Sequence, residues 1–184
     1  MTAKKLILSV QNSHLVNFDN YLAIGEWTLK KKYYDFYKLN KKKIEIFKSN
    51  SYKKENRANA HKITSDIYDF IKKDLIIELN KLHGKNYSSR FWGIIFGYWL
   101  IHFIGICVER YMRFNEITKD NRIDKIFLRS NNEFNFSSKD TFGLNINSID
   151  DNWESNFFST MINFFEYDFQ IFNNNSNTVG YTGS

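Results

Sequence analysis

Apolar and polar positions fall along this chain in a few separable blocks. Leu6-Ile-Leu-Ser-Val10 is a short, nearly continuous apolar run followed by Gln11-Asn-Ser, the pattern of a buried first strand entering a loop. Tyr21–Ile24 predicts a second strand that leads directly into Gly25-Glu26-Trp27, and Ile44–Phe47 a third between lysine-rich flanks. From about Ala58 to Leu82 the period changes. Ile63, Ile67, Ile71, Leu75 and Leu79 step by four, with Phe70 and Leu82 on the same side, which predicts a long helix. Gly84 follows where a left-handed C-terminal cap needs a residue without Cβ. Ser88 or Ser89 can cap the next helix, whose first turn carries Phe91 and Trp92. Phe91 to Val108 is apolar almost all round, broken only by Gly93, Gly97, His102 and Gly105. Such a helix must be buried in protein or in lipid. Its length is at the lower edge of a membrane span, and His102 with three glycines favours a central buried helix instead.

Asp124 to Arg129, around Ile126-Phe-Leu128, predicts a further strand, and the Asn-, Ser- and Asp-rich stretch Asn131 to Asn147 reads as loop. Ser148 can cap a helix with Asp150 and Asp151 in its first turn, favourable at the positive end of the dipole. Trp153, Phe157, Met161, Phe164 and Phe165 give that helix one apolar stripe, ordinarily core. The expected fold class is therefore α/β, a small, mainly parallel sheet with the long helices packed on it. Residues 1–172 are expected to form a single domain, and 173–184 a polar, Asn-rich tail.

Composition narrows the classes. The chain is 42% hydrophobic and 18% aromatic, enough to bury a core and exclude general disorder. Proline is absent and lysine far outnumbers arginine, a bias that tracks AT-rich codons and discounts the Lys and Asn runs. A single cysteine, Cys107, excludes an internal disulfide and every Cys-based zinc motif, and it fits a reducing, cytoplasmic compartment. The first ten residues are too short in apolar run for a secretory signal. Of the formal +6 charge, twelve basic against three acidic residues lie between Lys30 and Lys62. That stretch is either a solvated surface or one that attracts anionic glycans, phosphates or lipid headgroups.

No glycine-rich phosphate loop, His-Glu-x-x-His or Gly-x-Ser-x-Gly is present, and the four histidines lack metal-ligand spacing. No metal or cofactor is implied. Interleaved Lys and Tyr around Lys30-Lys-Lys-Tyr-Tyr34 come without any nucleic-acid module signature, so nucleic acid is not an expected partner. Three clusters carry chemistry. Gly25-Glu26-Trp27 follows a strand, where open α/β sheets bind ligands; Glu26 could act as a base or hold sugar hydroxyls, and Trp27 could stack on a pyranose, or the three could form a turn with a core Trp. His83 to Trp92 places His83 and Arg90 at the entry of a helix N-terminus, suited to anions or simply to capping and packing. Glu109-Arg110 closes the apolar helix as an adjacent pair that cannot share one helical face, which predicts separate partners and a structural ion pair.

The same clusters resemble, in order, a bacterial transferase family found with genes for lipopolysaccharide and other surface carbohydrates. Gly25-Glu26-Trp27 is similar to its Leu-Gly-Glu-Trp, and Tyr52-Lys-Lys-Glu-Asn-Arg57 resembles its Tyr-His-Trp-Asp-Asp-Arg. Leu79-Asn80-Lys-Leu-His83 with Ser88 or Ser89, Arg90 and Trp92 resembles Leu-Asn-x-x-His and Ser-x-Arg-Tyr-Trp. Gly97-Tyr98-Trp99-Leu100 is similar to Gly-Pro-Trp-Leu, Glu109-Arg110-Tyr111 to Asp-Arg-Trp, and Asp151-Asn-Trp153 to Asp-Glu-Trp-Asn. Lys53-Lys54 in place of His-Trp, and Tyr98 in place of proline, mark a divergent or degenerate copy.

This resemblance implies a Rossmann-like N-terminal half of a longer, two-domain, GT-B-like transferase, truncated here and inactive alone without its C-terminal domain. It implies a sugar or sugar-phosphate acceptor in surface polysaccharide biosynthesis, with Glu26 and His83 as catalytic candidates. Trp27, Arg57, Arg90 and Arg110 follow as substrate-binding candidates, with Glu26, His83 and Arg90 facing one cleft and Arg57 nearby. Contact with the inner membrane would be peripheral. The alternative is a non-enzymatic anion-binding or membrane-surface module using residues 30–62.

Overall fold

The computed structural model describes residues 4–7, 21–25, 28, 44–50, 53–119, 123–127, 136–165 and 170–172. Among them, β1 (Lys4–Ile7), β2 (Tyr21–Ala23), β3 (Ile44–Ile46), β4 (Ile123–Phe127) and β5 (Gln170–Phe172) form one sheet in the order β3-β2-β1-β4-β5. Every neighbouring pair is parallel. The helices are α1 (Lys54–His83), α2 (Ser89–Ile117), α3 (Thr141–Asn147) and α4 (Asp151–Phe164). The fold is α/β with a small parallel sheet, as the order of strands and helices along the chain predicts.

The chain divides into two compact units. The first, residues 1–49, 114–137 and 146–184, holds the sheet. Leu6 is paired with Leu22 on one side and Ile126 on the other, so the three share one row and one face. Leu22, Ala23 and Ile24 are all fully buried, which requires both faces of β2 to be covered, as in parallel sheets generally. On the Leu22 side the core gathers Ile24, Ile126, Phe114 and Ile117 from the end of α2, and Phe158, Met161 and Ile162 from α4. Phe114 and Phe158 rings lie 5.7 Å apart. Side chains of this size contribute about 1.5–3 kcal/mol each on full burial.

The second unit, residues 50–113 and 138–145, is a helical hairpin with a short covering segment. Leu100, Ile104 and Val108 of α2 pack against Ala60, Ile63, Ile67, Tyr68 and Leu75 of α1. The helices run antiparallel: Gly97 faces Tyr68, and Gly105 faces Thr64. At Gly97 a Cβ would stand 2.9 Å from the Tyr68 hydroxyl, so the missing side chain leaves room for that phenol. The hairpin turns at Gly84, which adopts the left-handed conformation (φ 59°) expected of it. Gly84 N–H donates to Lys81 O (3.2 Å) and Lys85 N–H to Asn80 O (2.9 Å), the paired bonds of a Schellman cap. Ser88 supplies the next cap, its Oγ accepting from Phe91 N–H at 3.2 Å.

Several expectations are corrected. The body of the long hairpin forms a compact unit of its own. Only the end of α2, at Phe114 and Ile117, enters the sheet's core. Nor is α2 a central buried helix: Ile94 is 75% exposed and Tyr98 72%, because α1 covers one side only. α1 starts at Lys54, earlier than the apolar period begins, after an N-cap residue, Lys53, that makes no side-chain capping bond. The stretch read as loop ends in α3, whose first turn is held by Asp140 Oδ1 accepting from Gly143 N–H at 2.7 Å. In α4, Trp153 and Met161 are buried, but Phe164 and Phe165 at its end are exposed. Residues 8–10, 128–129 and 173–184, assigned above to strand ends and a tail, lie outside the described residues.

Candidate functional site

All five strands end on the same edge of a parallel sheet, and open α/β sheets bind ligands outside that carboxyl edge, where the strand order reverses. Here the chain steps outward from β1 to β2 to β3 and then crosses to β4, placing the reversal between β1 and β4. Gly25 follows β2 on this edge. Thr28, fully buried, returns to Gly25: its N–H donates to Gly25 O at 3.2 Å and its Oγ1 to the same oxygen at 2.8 Å. Phe47 N–H donates to Ala23 O (2.8 Å), extending the β2–β3 ladder past Ile46. Beyond it, Ser49 Oγ donates to Glu116 Oε2 at 2.7 Å, tying the exit of β3 to the end of α2. Glu26 and Trp27 themselves lie outside the described residues, as do residues 8–20 after β1 and 128–135 after β4.

In the hairpin unit, His83 ends α1 and Arg90 lies in the first turn of α2, so both are near the tip, and both are exposed. The His83 ring lies 5.6 Å from the Trp92 indole at a 36° tilt. Tyr87 stacks on Phe91 at 4.1 Å and meets Trp92 edge-on at 5.9 Å. Asn80 organises this turn, a residue the sequence reading quoted only within a motif. Its Oδ1 accepts from Tyr87 N–H (2.8 Å) and Trp92 Nε1–H (2.9 Å), and its Nδ2 donates to Tyr87 O (3.0 Å). The Asn and Trp of the family pattern thus hold the loop that presents His83 and Arg90.

Arg57 is exposed in the first turn of α1, and His83 closes the same helix, about 39 Å away at 1.5 Å per residue. Arg110 likewise lies about 30 Å along α2 from Arg90. The expected cleft with Arg57 near His83 and Arg90 therefore does not form. Glu109 and Arg110 were expected to have separate partners, and instead they pair. Arg110 Nη1 donates to Glu109 Oε2 at 2.6 Å, while Glu109 Oε1 accepts from Arg113 Nη2 (2.6 Å) and Nε (3.2 Å). Arg113, 3% exposed, went unnoticed in the sequence, although its i,i+4 spacing from Glu109 was the available signal.

Other polar groups in the apolar helix have structural partners. Trp99 Nε1–H donates to Ser138 Oγ at 2.8 Å, and His102 Nε2 bonds Asn145 Oδ1, fixing the 138–145 segment. Burial pushes the Cys107 thiol up to about 12, with Arg110 opposing, so it is protonated and poorly nucleophilic near neutrality. No group of three metal-ligating side chains occurs among the described residues.

A family model described as LIC12162 family transferase matches residues 4–181. No curated protein and no solved structure matches the chain.

Proposed function

Because the chain belongs to the LIC12162 transferase family, we propose that its sheet unit is the Rossmann-like, acceptor-side part of a GT-B-like glycosyltransferase of surface polysaccharide assembly. The observation that carries this reading is the all-parallel order β3-β2-β1-β4-β5, with Gly25 just past the carboxyl end of β2. That order is the one doubly wound nucleotide-binding sheets use around their switch point. Glu26 takes the proton of an acceptor hydroxyl as that oxygen bonds to the donor's anomeric carbon and the bond to the leaving phosphate breaks. Trp27 lies under the sugar ring. The Gly25–Thr28 bonds fix both ends of the segment that carries the two residues. A second α/β domain supplies most of the donor site.

The test is titration of the full chain with sugar phosphates and sugar nucleotides, followed by calorimetry or NMR. Trp27→Ala should weaken sugar binding about tenfold, whereas Glu26→Gln should leave it unchanged and abolish transfer in the presence of a donor-binding partner. Absence of any sugar binding refutes the reading. Binding that collapses with rising salt and ignores Trp27 favours the module built on the basic 30–62 stretch instead.

A further inference from the structure

We propose that the α1–α2 hairpin docks in the plane of an anionic lipid bilayer, its uncovered α2 face entering the acyl boundary and its tip cations holding headgroup phosphates. Ile94, Ile95, Tyr98 and Ile101 are all exposed and fall on one side of α2 at helical spacing. They form an apolar strip about 15 Å long from Phe91 to Ile101, continuous with the tip. Isolated exposed apolar residues need no explanation, but a contiguous exposed strip does.

Charge identifies what covers it. From Lys81 through Val108 the only charged residues are Lys81, Lys85 and Arg90, all exposed and all at the tip end of the strip. Between these cations and the aliphatic strip lie Phe91 and Tyr87, both exposed and stacked, and tyrosine prefers the headgroup level. An anionic surface complements these cations, and the strip beside them supplies the apolar contact.

The hairpin's own construction sets the orientation. α2 is long and apolar enough to cross a membrane, yet only 28% of its most apolar window is buried within the protein. Its partner α1 cannot accompany it across: between Lys62 and Asp74 it carries Lys62, Asp66, Asp69, Lys72, Lys73 and Asp74 beside the exposed Phe70, with Lys62 and Asp66 paired at 2.7 Å. Two helices together therefore make one amphipathic body, α1 toward water and α2 toward lipid, which lies in the interface rather than spanning it. This reading is independent of whether sugar transfer occurs at the sheet.

Flotation of the full chain with phosphatidylglycerol–phosphatidylcholine vesicles, against pure phosphatidylcholine, tests it. The chain should float with the anionic vesicles, and added salt should weaken binding. Lys81→Gln, Lys85→Gln and Arg90→Gln should each lower partitioning about fivefold and together about 100-fold. Ile94→Asn and Ile95→Asn should each lower it about tenfold or more without changing the helical circular dichroism, since both side chains are exposed. Failure to float with anionic vesicles overturns the proposal. So does binding indifferent to Ile94 and Ile95. Sedimentation showing a dimer that Ile94→Asn dissociates also overturns it, because a second copy would then own the face.

Discussion

Asn80→Ala removes a side chain whose three hydrogen bonds all stay within the hairpin turn, so its effect is read there. Two bonds reach the exposed Tyr87 backbone, which water can satisfy in their absence, at a net cost of about 1 kcal/mol each. The third accepts the part-buried Trp92 Nε1–H, and leaving that donor unpaired costs about 1–3 kcal/mol. Together these predict a loss of about 3 kcal/mol in the hairpin. Asn80→Asp keeps the Oδ1 acceptor and loses only the donor to Tyr87 O, so it should cost about 1 kcal/mol. Because the chain has two compact units, a global melt can blur the effect. Native-state exchange at the Tyr87 amide and the Trp92 indole N–H reads it locally. Both protons should exchange about 100-fold faster in Asn80→Ala, as 3 kcal/mol implies, and several-fold faster in Asn80→Asp. Unchanged exchange at both positions would refute the bond network as the turn's main restraint.

Glycine substitutions separate backbone conformation from space. Gly93→Ala meets nothing within 4 Å and should raise stability by about 0.5–1 kcal/mol in urea unfolding, whereas Gly84→Ala, at φ 59°, should lower it by about 1–2 kcal/mol. Cys107 should resist alkylation at pH 8 until urea opens the fold. Its folded pKa is raised above the ordinary thiol value of 9.0, so its stabilising contribution is complete below about pH 9 and declines as pH rises toward about 12. The decline is at most about 1.4 kcal/mol per pH unit, and it should be missing from the stability–pH curve of Cys107→Ala.

The strongly periodic parts of the chain were legible in advance, and for mechanical reasons. The step of four from Ile63 to Leu79 and the cap at Gly84 are local facts, and the structure shows α1 ending with the expected conformation. β5 escaped notice because Gln170–Phe172 is too short to show a period; only pairing with β4 defines it. α3 was lost inside an Asn-rich composition, although Asp140 three residues before Gly143 is a capping signal. The apolar character of Phe91 to Val108 was plain, but no pattern along one chain states what lies against a helix. Site geometry was the least legible. Motif order placed Arg57, His83 and Arg90 together, while the straight length of α1 holds Arg57 apart from the other two. Asn80 and Arg113 emerged only from three-dimensional partners.

The central position of β1 has a consequence for how the protein is made. Leu6 precedes both long helices in the chain yet needs Ile126, beyond them, as its partner, and β4 in turn needs Ile171. Closing such distant pairs is slow, whereas a hairpin of two sequential helices assembles from local contacts within microseconds to milliseconds. During synthesis α1 and α2 therefore come together first, while β1, β2 and β3 wait with an open edge on the side β4 will fill. The nascent chain presents that unpaired edge and the apolar strip of α2 in the same interval. Expression yield should thus depend on whatever shields those surfaces until residues 123–172 are complete.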